Sequence, residues 1–250
     1  MASNRLAGLS ALVTGAGGGI GGAIAQRFVA EGAKVVGLDI AGEGTGFPLL
    51  GCDVRDAEAV ERVVAETAQA NGGIDIVVTA AARTGGRAAF PDVTDGEWDS
   101  YIAINLTGTF RVCRAAARVM IAQGRGGSIV TVGSVNSLVA EREALPYASS
   151  KGGIAMLTKA MAIDLAAYGI RANMIAPGPV KVPRNAALFQ SIAFRRGFAT
   201  TMPMGHPAEP ADVANAAVYL AEPASRMVTG TTLLVDGGLL AQVPPFDTAD

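Results

Sequence analysis

The chain reads as one α/β domain: an open, doubly wound parallel sheet of about seven strands with helices on both faces. Three observations lead there. Short apolar runs alternate with stretches of helical period from Leu9 to Leu240, the order that gives parallel strands joined by crossover helices. The first run leads at once into the glycine cluster Gly15-Ala-Gly-Gly-Gly-Ile-Gly21. Finally, 250 residues, 50% hydrophobic and 17% charged, suffice for one large core, and neither repeat nor linker divides them.

Composition narrows the functional classes. A net charge of −2 and a pI near 5.5 provide no basic field, so neither nucleic acid nor a membrane surface is expected as a partner. Cys52 and Cys113 lie far apart in apolar surroundings and read as buried free thiols, which fits the cytoplasm. His206 is the only histidine and falls in a loop flanked by Gly205 and Pro207, leaving Ser-His-Asp chemistry and histidine-rich metal sites almost nothing to build on. Met1 to Leu9 has a single Arg and no sustained apolar run, and no later stretch reaches a spanning length, so a soluble, unprocessed chain is expected.

Ser10 to Thr14 forms the first strand, and Ile20, Ile24 and Phe28 carry the helix after the glycine turn. Strand, glycine turn and helix make the βα unit that binds dinucleotides. The glycines of such a turn permit unusual backbone angles, let a pyrophosphate approach the main chain and, near Gly21, let helix and strand pack closely. A glycine cluster alone is also compatible with a plain flexible turn; its context decides. The next strand, Ala33 to Asp39, ends in an acid about twenty residues past the turn, where the ribose hydroxyls of the cofactor lie. Asp39 then accepts from the 2′-OH and repels a 2′-phosphate, and Ile40 supplies no compensating cation, which favours NAD over NADP. The alternative is that Asp39 only caps the following turn.

Leu49 to Asp53 reads as a short third strand, with Asp53 placed to touch the adenine edge. Asp56 caps a helix running to about Asn71, with Val60, Val63 and Val64 inward. Ile74 to Val78 is the fourth strand, and the small residues Thr79-Ala-Ala-Ala82 let the backbone pass close to the cofactor. A helix is expected from Asp95 to Gln123. Asn105 lies in its apolar middle and needs partners, either for function or simply for packing.

Ser128 to Val132, the fifth strand, delivers Ser134 beyond its carboxyl end, where ligands of open sheets bind. The helix expected from Tyr147 to about Tyr168 carries Tyr147 and Lys151 one turn apart on one face. A cation beside the phenol favours its deprotonated form and makes an acid/base catalyst, although a Tyr/Lys pair at this spacing is also an ordinary surface pair. The same helix is apolar on most sides through Ile154, Met156, Leu157, Met161 and Leu165, which predicts a subunit contact and hence a homo-oligomer, a dimer or tetramer. Gly169 to Ala176 is the sixth strand, closed by Pro177-Gly178-Pro179. Residues 180–207 have weak periodicity and several Pro and Gly; they read as a lid over the substrate or as a surface excursion. A capped helix from Ala208 to Glu222, a last strand from Thr231 to Val235 and an apolar tail from Leu239 to Phe246 complete the chain.

With the glycine turn, Asn105, Ser134, Tyr147 and Lys151 in hand, the sequence resembles the short-chain dehydrogenase/reductases, whose fold is Rossmann-like. Their Thr-Gly-x-x-x-Gly-x-Gly motif matches Thr14, Gly15, Gly19 and Gly21. The resemblance implies that Asn105, Ser134, Tyr147 and Lys151 are catalytic. It further implies that Gly15, Gly19, Ile20, Gly21, Asp39, Asp53, Val54, Ala81, Tyr147, Lys151, Pro177, Gly178 and Val180 bind the dinucleotide, which Asp39 marks as NAD; no metal is expected. Tyr147 would take the alcohol proton, Ser134 would bond the reacting oxygen, Lys151 would hold the nicotinamide ribose, and Asn105 would hold a water that passes the proton on. Two departures stand out: Thr79-Ala-Ala-Ala82 replaces Asn-Asn-Ala-Gly, and Val182 stands where the family has a Thr that holds the carboxamide, leaving backbone groups such as that of Val180 for that task. Arg142, Arg195 and Arg196, with Glu141 and Glu143, suggest a polar substrate such as a sugar or polyol. Alternatives are a 3-oxoacyl-carrier-protein reductase, against which Asp39 argues, and a non-catalytic NAD-binding sensor or assembly subunit.

Overall fold

The computed structural model describes residues 4–41 and 46–242. In chain order it contains β1 (Ser10–Thr14), α1 (Gly19–Ala30), β2 (Lys34–Asp39), β3 (Leu49–Gly51), α2 (Ala57–Asn71), β4 (Ile76–Thr79), α3 (Asp95–Tyr101), α4 (Gly108–Gln123), β5 (Gly127–Val132), α5 (Leu145–Asp164), β6 (Ile170–Pro177), α6 (Ala186–Gln190), α7 (Ile192–Thr201), α8 (Pro210–Ala221) and β7 (Thr232–Val235). The strands form one sheet in the order β3-β2-β1-β4-β5-β6-β7, every pairing parallel. The chain winds outward from β1 to β3, then returns to β4 on the other side of β1. That reversal opens a crevice at the carboxyl ends of β1 and β4, where ligands of such sheets bind.

Two apolar layers sandwich the sheet because neighbouring strand residues point to opposite faces. Val13 belongs to the layer with Ile24, Phe28, Val213 and Val218 of α1 and α8. Leu12 belongs to the layer with Val60 and Val64 of α2, Val112 and Met120 of α4, and Ile129. All of these side chains are buried. Asp56 accepts from the amides of Glu58 and Ala59, both at 3.0 Å, a cap worth about 1 kcal/mol. Gly72 ends α2 in the left-handed conformation.

Several expected boundaries move. The helix expected over residues 95–123 is broken: α3 gives way to a π-helical turn, Ile102–Thr107, before α4 begins. Asn105 lies inside that turn, and its side-chain bonds to a distant loop compete with regular helical geometry. The helix expected from Tyr147 starts at Leu145, with Pro146 in its first turn, and passes at Leu165 into a 3-10 turn. The stretch 180–207, whose sequence period is weak, contains α6 and α7 around a small cluster of Phe189, Phe198 and Met202. Their burial on one another supplies the stability that their weak sequence period does not advertise.

On α5, Met156 and Ile163 are 66% and 77% exposed, seven residues apart and so on one face. Both cysteines are free and buried, and burial pushes the Cys113 thiol up to about 12. No helix among the described residues is long and apolar enough to cross a membrane, and among them no group of three or more His, Cys, Asp or Glu could hold a metal ion. The tail beyond residue 242 lies outside the described residues, as does the Arg195 side chain.

Candidate active site

A cavity of about 840 Å³ follows the carboxyl ends of β1, β2, β4 and β5, from the glycine turn past Asp39 and Asp53 to Tyr147 and Lys151. The turn is held by Thr14, whose Oγ1 accepts from the amides of Ala80 and Ala81, both at 3.1 Å. Thr14 therefore ties β1 to the end of β4. The Thr79 hydroxyl, one residue before that junction, is buried and interacts with the Cys113 thiol.

The turn has the shape a pyrophosphate needs. A Cβ on Gly21 would lie 2.2 Å from the Gly15 carbonyl oxygen, so only glycine allows α1 to start this close to β1. Above Gly18, by contrast, nothing lies within 4 Å of that position, and Gly18 faces the cavity. Helix α1 begins with no side-chain cap and no acid in its first turn. Its leading amides and positive dipole end are left for an anionic ligand.

Asp39 borders the same cavity. Its carboxylate accepts from the Gly17 amide at 2.9 Å and the Ile40 amide at 2.7 Å, so it both caps its turn and presents a negative group to the ligand space. Asp53 and Val54 line the wall beyond it. Arg55 grips Asp53 through contacts of 2.7 to 3.1 Å and holds that carboxyl below its usual range. Ile20 and Ala81 also line this cavity.

A second cavity of about 490 Å³ adjoins the first and is bordered by Ser134, Tyr147, Arg87, Glu141, Pro177, Gly178 and Val180. Tyr147 faces both cavities. The β5 strand carries Ser134 to their edge, where its Oγ accepts from the Asn136 amide at 3.1 Å. Tyr101, itself buried, packs edge-on against Tyr147 with ring centroids 6.3 Å apart.

The electrostatics correct one expectation. Lys151 is buried and its Nζ donates to the Val132 carbonyl at 2.8 Å. It passes 5.7 Å from the centre of the Tyr147 ring, and no hydrogen bond joins it to the phenol. Burial lowers Lys151 from 10.5 to about 8 and raises the Tyr147 phenol above its ordinary value. The pulls in the other direction on Tyr147 come from the Ser134 hydroxyl and then from the Arg184 guanidinium. A spacing of four does bring lysine and tyrosine together, but desolvation works against both charged forms and outweighs their proximity in the free chain.

Asn105 is fully buried. Its Oδ1 accepts from the Arg83 amide at 2.7 Å, and its Nδ2 donates to the Arg83 carbonyl at 3.1 Å and to Ser150 Oγ at 3.0 Å. The side chain thus locks the π-turn to the segment after β4 and to α5. Both side-chain donors are used within the protein.

Val182 is 4% exposed, and its Cγ1 lies 3.8 Å from where a Cβ on Gly19 would be. It fills space beside the glycine turn and offers no side-chain donor. Two residues on, Arg184 borders both cavities. Arg184, Arg55 and the paired bonds of Thr14 escaped the sequence reading; a cation just past the Val182 departure was the available signal for Arg184. His206 is exposed, its Nδ1 3.0 Å from the Pro207 carbonyl. Arg142, Arg196, Glu143 and Glu141 are all exposed, and of these only Glu141 borders a described cavity.

A Rossmann-like sheet with a glycine-turn cavity and a phenol, hydroxyl and ammonium at its reactive end defines a nucleotide-binding oxidoreductase. Residues 15–240 match a family profile described as enoyl-(acyl carrier protein) reductase. The chain is 37% identical to galactitol 2-dehydrogenase (L-tagatose-forming) of Cereibacter sphaeroides, over 94% of this chain and 96% of that one. It is 36% identical to 3beta-hydroxysteroid dehydrogenase 1 of Eggerthella lenta, over 94% of each. A solved gluconate 5-dehydrogenase from Burkholderia cenocepacia, in complex with NADP and tartrate, superposes with a TM-score of 0.88 at 36% identity, covering 97% of this chain and 99% of that one. The chain belongs to the short-chain dehydrogenase/reductase family, whose oxidoreductases bind a nicotinamide nucleotide and act on CH–OH groups.

Proposed function

We propose that this chain is an NAD-dependent dehydrogenase interconverting a secondary alcohol and its ketone, with a sugar or polyol as substrate. The observation that carries this reading is the meeting of Tyr147, Ser134 and Lys151 at the junction of the two cavities. When bound, the nicotinamide supplies the hydride-accepting carbon. Tyr147 takes the proton from the alcohol as general base, and returns it to the carbonyl in the reverse direction. Ser134 hydrogen-bonds the reacting oxygen, Lys151 holds the nicotinamide ribose, and Asn105 organises the water path by which the proton leaves. The sugar or polyol assignment is supported by the galactitol and gluconate enzymes among the relatives.

The choice of NAD is supported by Asp39 at the end of β2, with Ile40 rather than a cation beside it. The gluconate 5-dehydrogenase that holds NADP is the counterexample within the family, so the assignment rests on this chain's own acid. Residues 180–207 act as the lid. Met156 and Ile163 form part of the contact of a homo-oligomer, a tetramer or dimer, and the two buried thiols fit a cytoplasmic setting.

A screen of alcohols, sugars and polyols with NAD and, in parallel, NADP, followed at 340 nm, tests the reading. Turnover with NAD should exceed turnover with NADP, and Asp39→Ala should narrow that gap by about tenfold or more, the scale of one charged contact. An unchanged ratio in the variant would remove Asp39 from the cofactor site. Tight NAD binding with no turnover across the panel would favour a sensor or assembly subunit instead.

A further inference from the structure

Arg184 is the residue least accounted for by the chemistry above. It follows Pro183 in a 3-10 turn, Pro183–Asn185, and borders the second cavity as well as the first. The turn is fixed from behind. Asn185 Oδ1 accepts from the Val182 amide at 2.8 Å and its Nδ2 donates to the Val180 carbonyl at 3.0 Å. Lys181 donates its amide to the Ala208 carbonyl at 2.9 Å, and Ala208 donates to the Pro179 carbonyl at 3.0 Å. The guanidinium is therefore presented from an anchored base, which reduces the ordering cost of binding a ligand.

The charge balance of the second cavity then points to a ligand class. Its lining contains the cations Arg87 and Arg184 and the acid Glu141. Arg87 is neutralised by Glu141 and also donates to the Arg142 carbonyl at 3.0 Å. Arg184 is exposed and makes no hydrogen bond or ion pair with any described residue, so its positive charge is balanced by solvent alone and is free to pair with a ligand. A neutral polyol would leave it so. A carboxylate would supply the missing charge and match the planar fork of a guanidinium with two parallel hydrogen bonds.

We propose that Arg184 is a specificity-determining residue that receives a carboxylate on the substrate, so that the preferred substrates are polyhydroxylated carboxylic acids rather than neutral polyols. The inference rests on the dehydrogenase reading above and refines its substrate class. The paired Arg87 and Glu141 provide donors and acceptors for hydroxyls along the same lining. Arg184 and Tyr147 border the same two cavities, so a carboxylate held by Arg184 would share that space with a carbinol presented to Tyr147. The competing role, a contact to the cofactor's pyrophosphate across the first cavity, predicts a different pattern of losses.

The test compares wild type, Arg184→Gln and Arg184→Lys at saturating NAD, on D-gluconate, D-galactonate and threonate against D-glucitol, galactitol and threitol. The readout is the ratio of kcat/KM for each acid to that for its neutral counterpart. Any influence of Arg184 on Tyr147 cancels in that ratio. Wild type should favour the acids. Arg184→Gln should reduce the ratio at least about tenfold, mainly through KM, the scale of one charge-assisted hydrogen bond, and Arg184→Lys should recover part of it. An unchanged ratio would overturn the proposal. So would equal losses on acids and polyols accompanied by weaker NAD binding in calorimetry, which would assign Arg184 to the cofactor. If wild type oxidises none of the panel, the dehydrogenase reading fails on its own. Calorimetric titration of the three acids into the NADH complex then decides the inference: binding weakened about tenfold in Arg184→Gln supports it, and equal or absent binding overturns it.

Discussion

Tyr147→Phe is expected to reduce turnover by at least about 10²-fold, the scale of general acid/base catalysis, while NAD affinity stays close to wild type. The substitution keeps the ring, and with it the edge-on packing against Tyr101 at 6.3 Å, so the cavity wall survives. What it removes is a phenol that faces both cavities, the proposed acceptor of the alcohol proton. The free-chain electrostatics add a pH signature. Burial holds the phenol above its ordinary value of 10, against the smaller pulls of Ser134 and Arg184. Oxidation requires the deprotonated ring, so its rate should climb as pH rises from about 7 to 9, by up to roughly tenfold per pH unit where that single proton is limiting. The variant should lose the climb along with the rate. Activity within a few-fold of wild type would remove Tyr147 from the chemistry.

Lys151→Met should abolish most activity and yet stabilise the free chain at pH 7. The lysine is 3% exposed, and burial lowers it from 10.5 to about 8. A folded-state value below the unfolded one means that the fold disfavours the protonated form. The resulting penalty is fully present below about pH 8 and disappears as pH rises from there to 10.5. A depression of that size corresponds to about 3 kcal/mol. The variant leaves the Val132 carbonyl without the 2.8 Å bond it accepts from Nζ, a loss of about 1 kcal/mol, and Met fills much the same volume. A net gain of about 2 kcal/mol should raise Tm at pH 7 by roughly 4–8 °C for a domain of this size, and the gain should vanish near pH 10, where the remaining penalty falls to the size of the lost bond. Thermal unfolding of both proteins at pH 7 and pH 10 measures this directly. A variant less stable than wild type at pH 7 would mean that the Val132 bond outweighs the desolvation. A buried ammonium kept at a stability cost is what a functional site looks like energetically.

Much of the fold was legible because its signals are local. The run Ser10 to Thr14, the glycine turn after it and the helix stripe of Ile20, Ile24 and Phe28 appear as β1, the turn and α1. Asp56 does cap α2, with Val60, Val63 and Val64 inward. Ser134, Tyr147 and Lys151 could be singled out because a strand end and a one-turn spacing bring chemistry to one place whatever the rest of the chain does. The π-turn at Asn105 was less visible. An amide in an apolar helix signals a disturbance, but its form depends on Arg83 and Ser150, partners 22 and 45 residues away.

The sequence by itself determined the parallel α/β sheet and the glycine turn and singled out the candidate reactive groups, since periodicity, turn chemistry and short spacings are properties of neighbouring residues. Only the tertiary structure decided how those groups are charged and oriented. It turned Lys151 toward Val132, packed Tyr147 edge-on against Tyr101, gave Thr14 the junction with Ala80 and Ala81, and brought Arg184 to the boundary of both cavities. Desolvation and long-range contacts depend on which distant segments fold against a site, and that information is not contained in any local stretch of the chain.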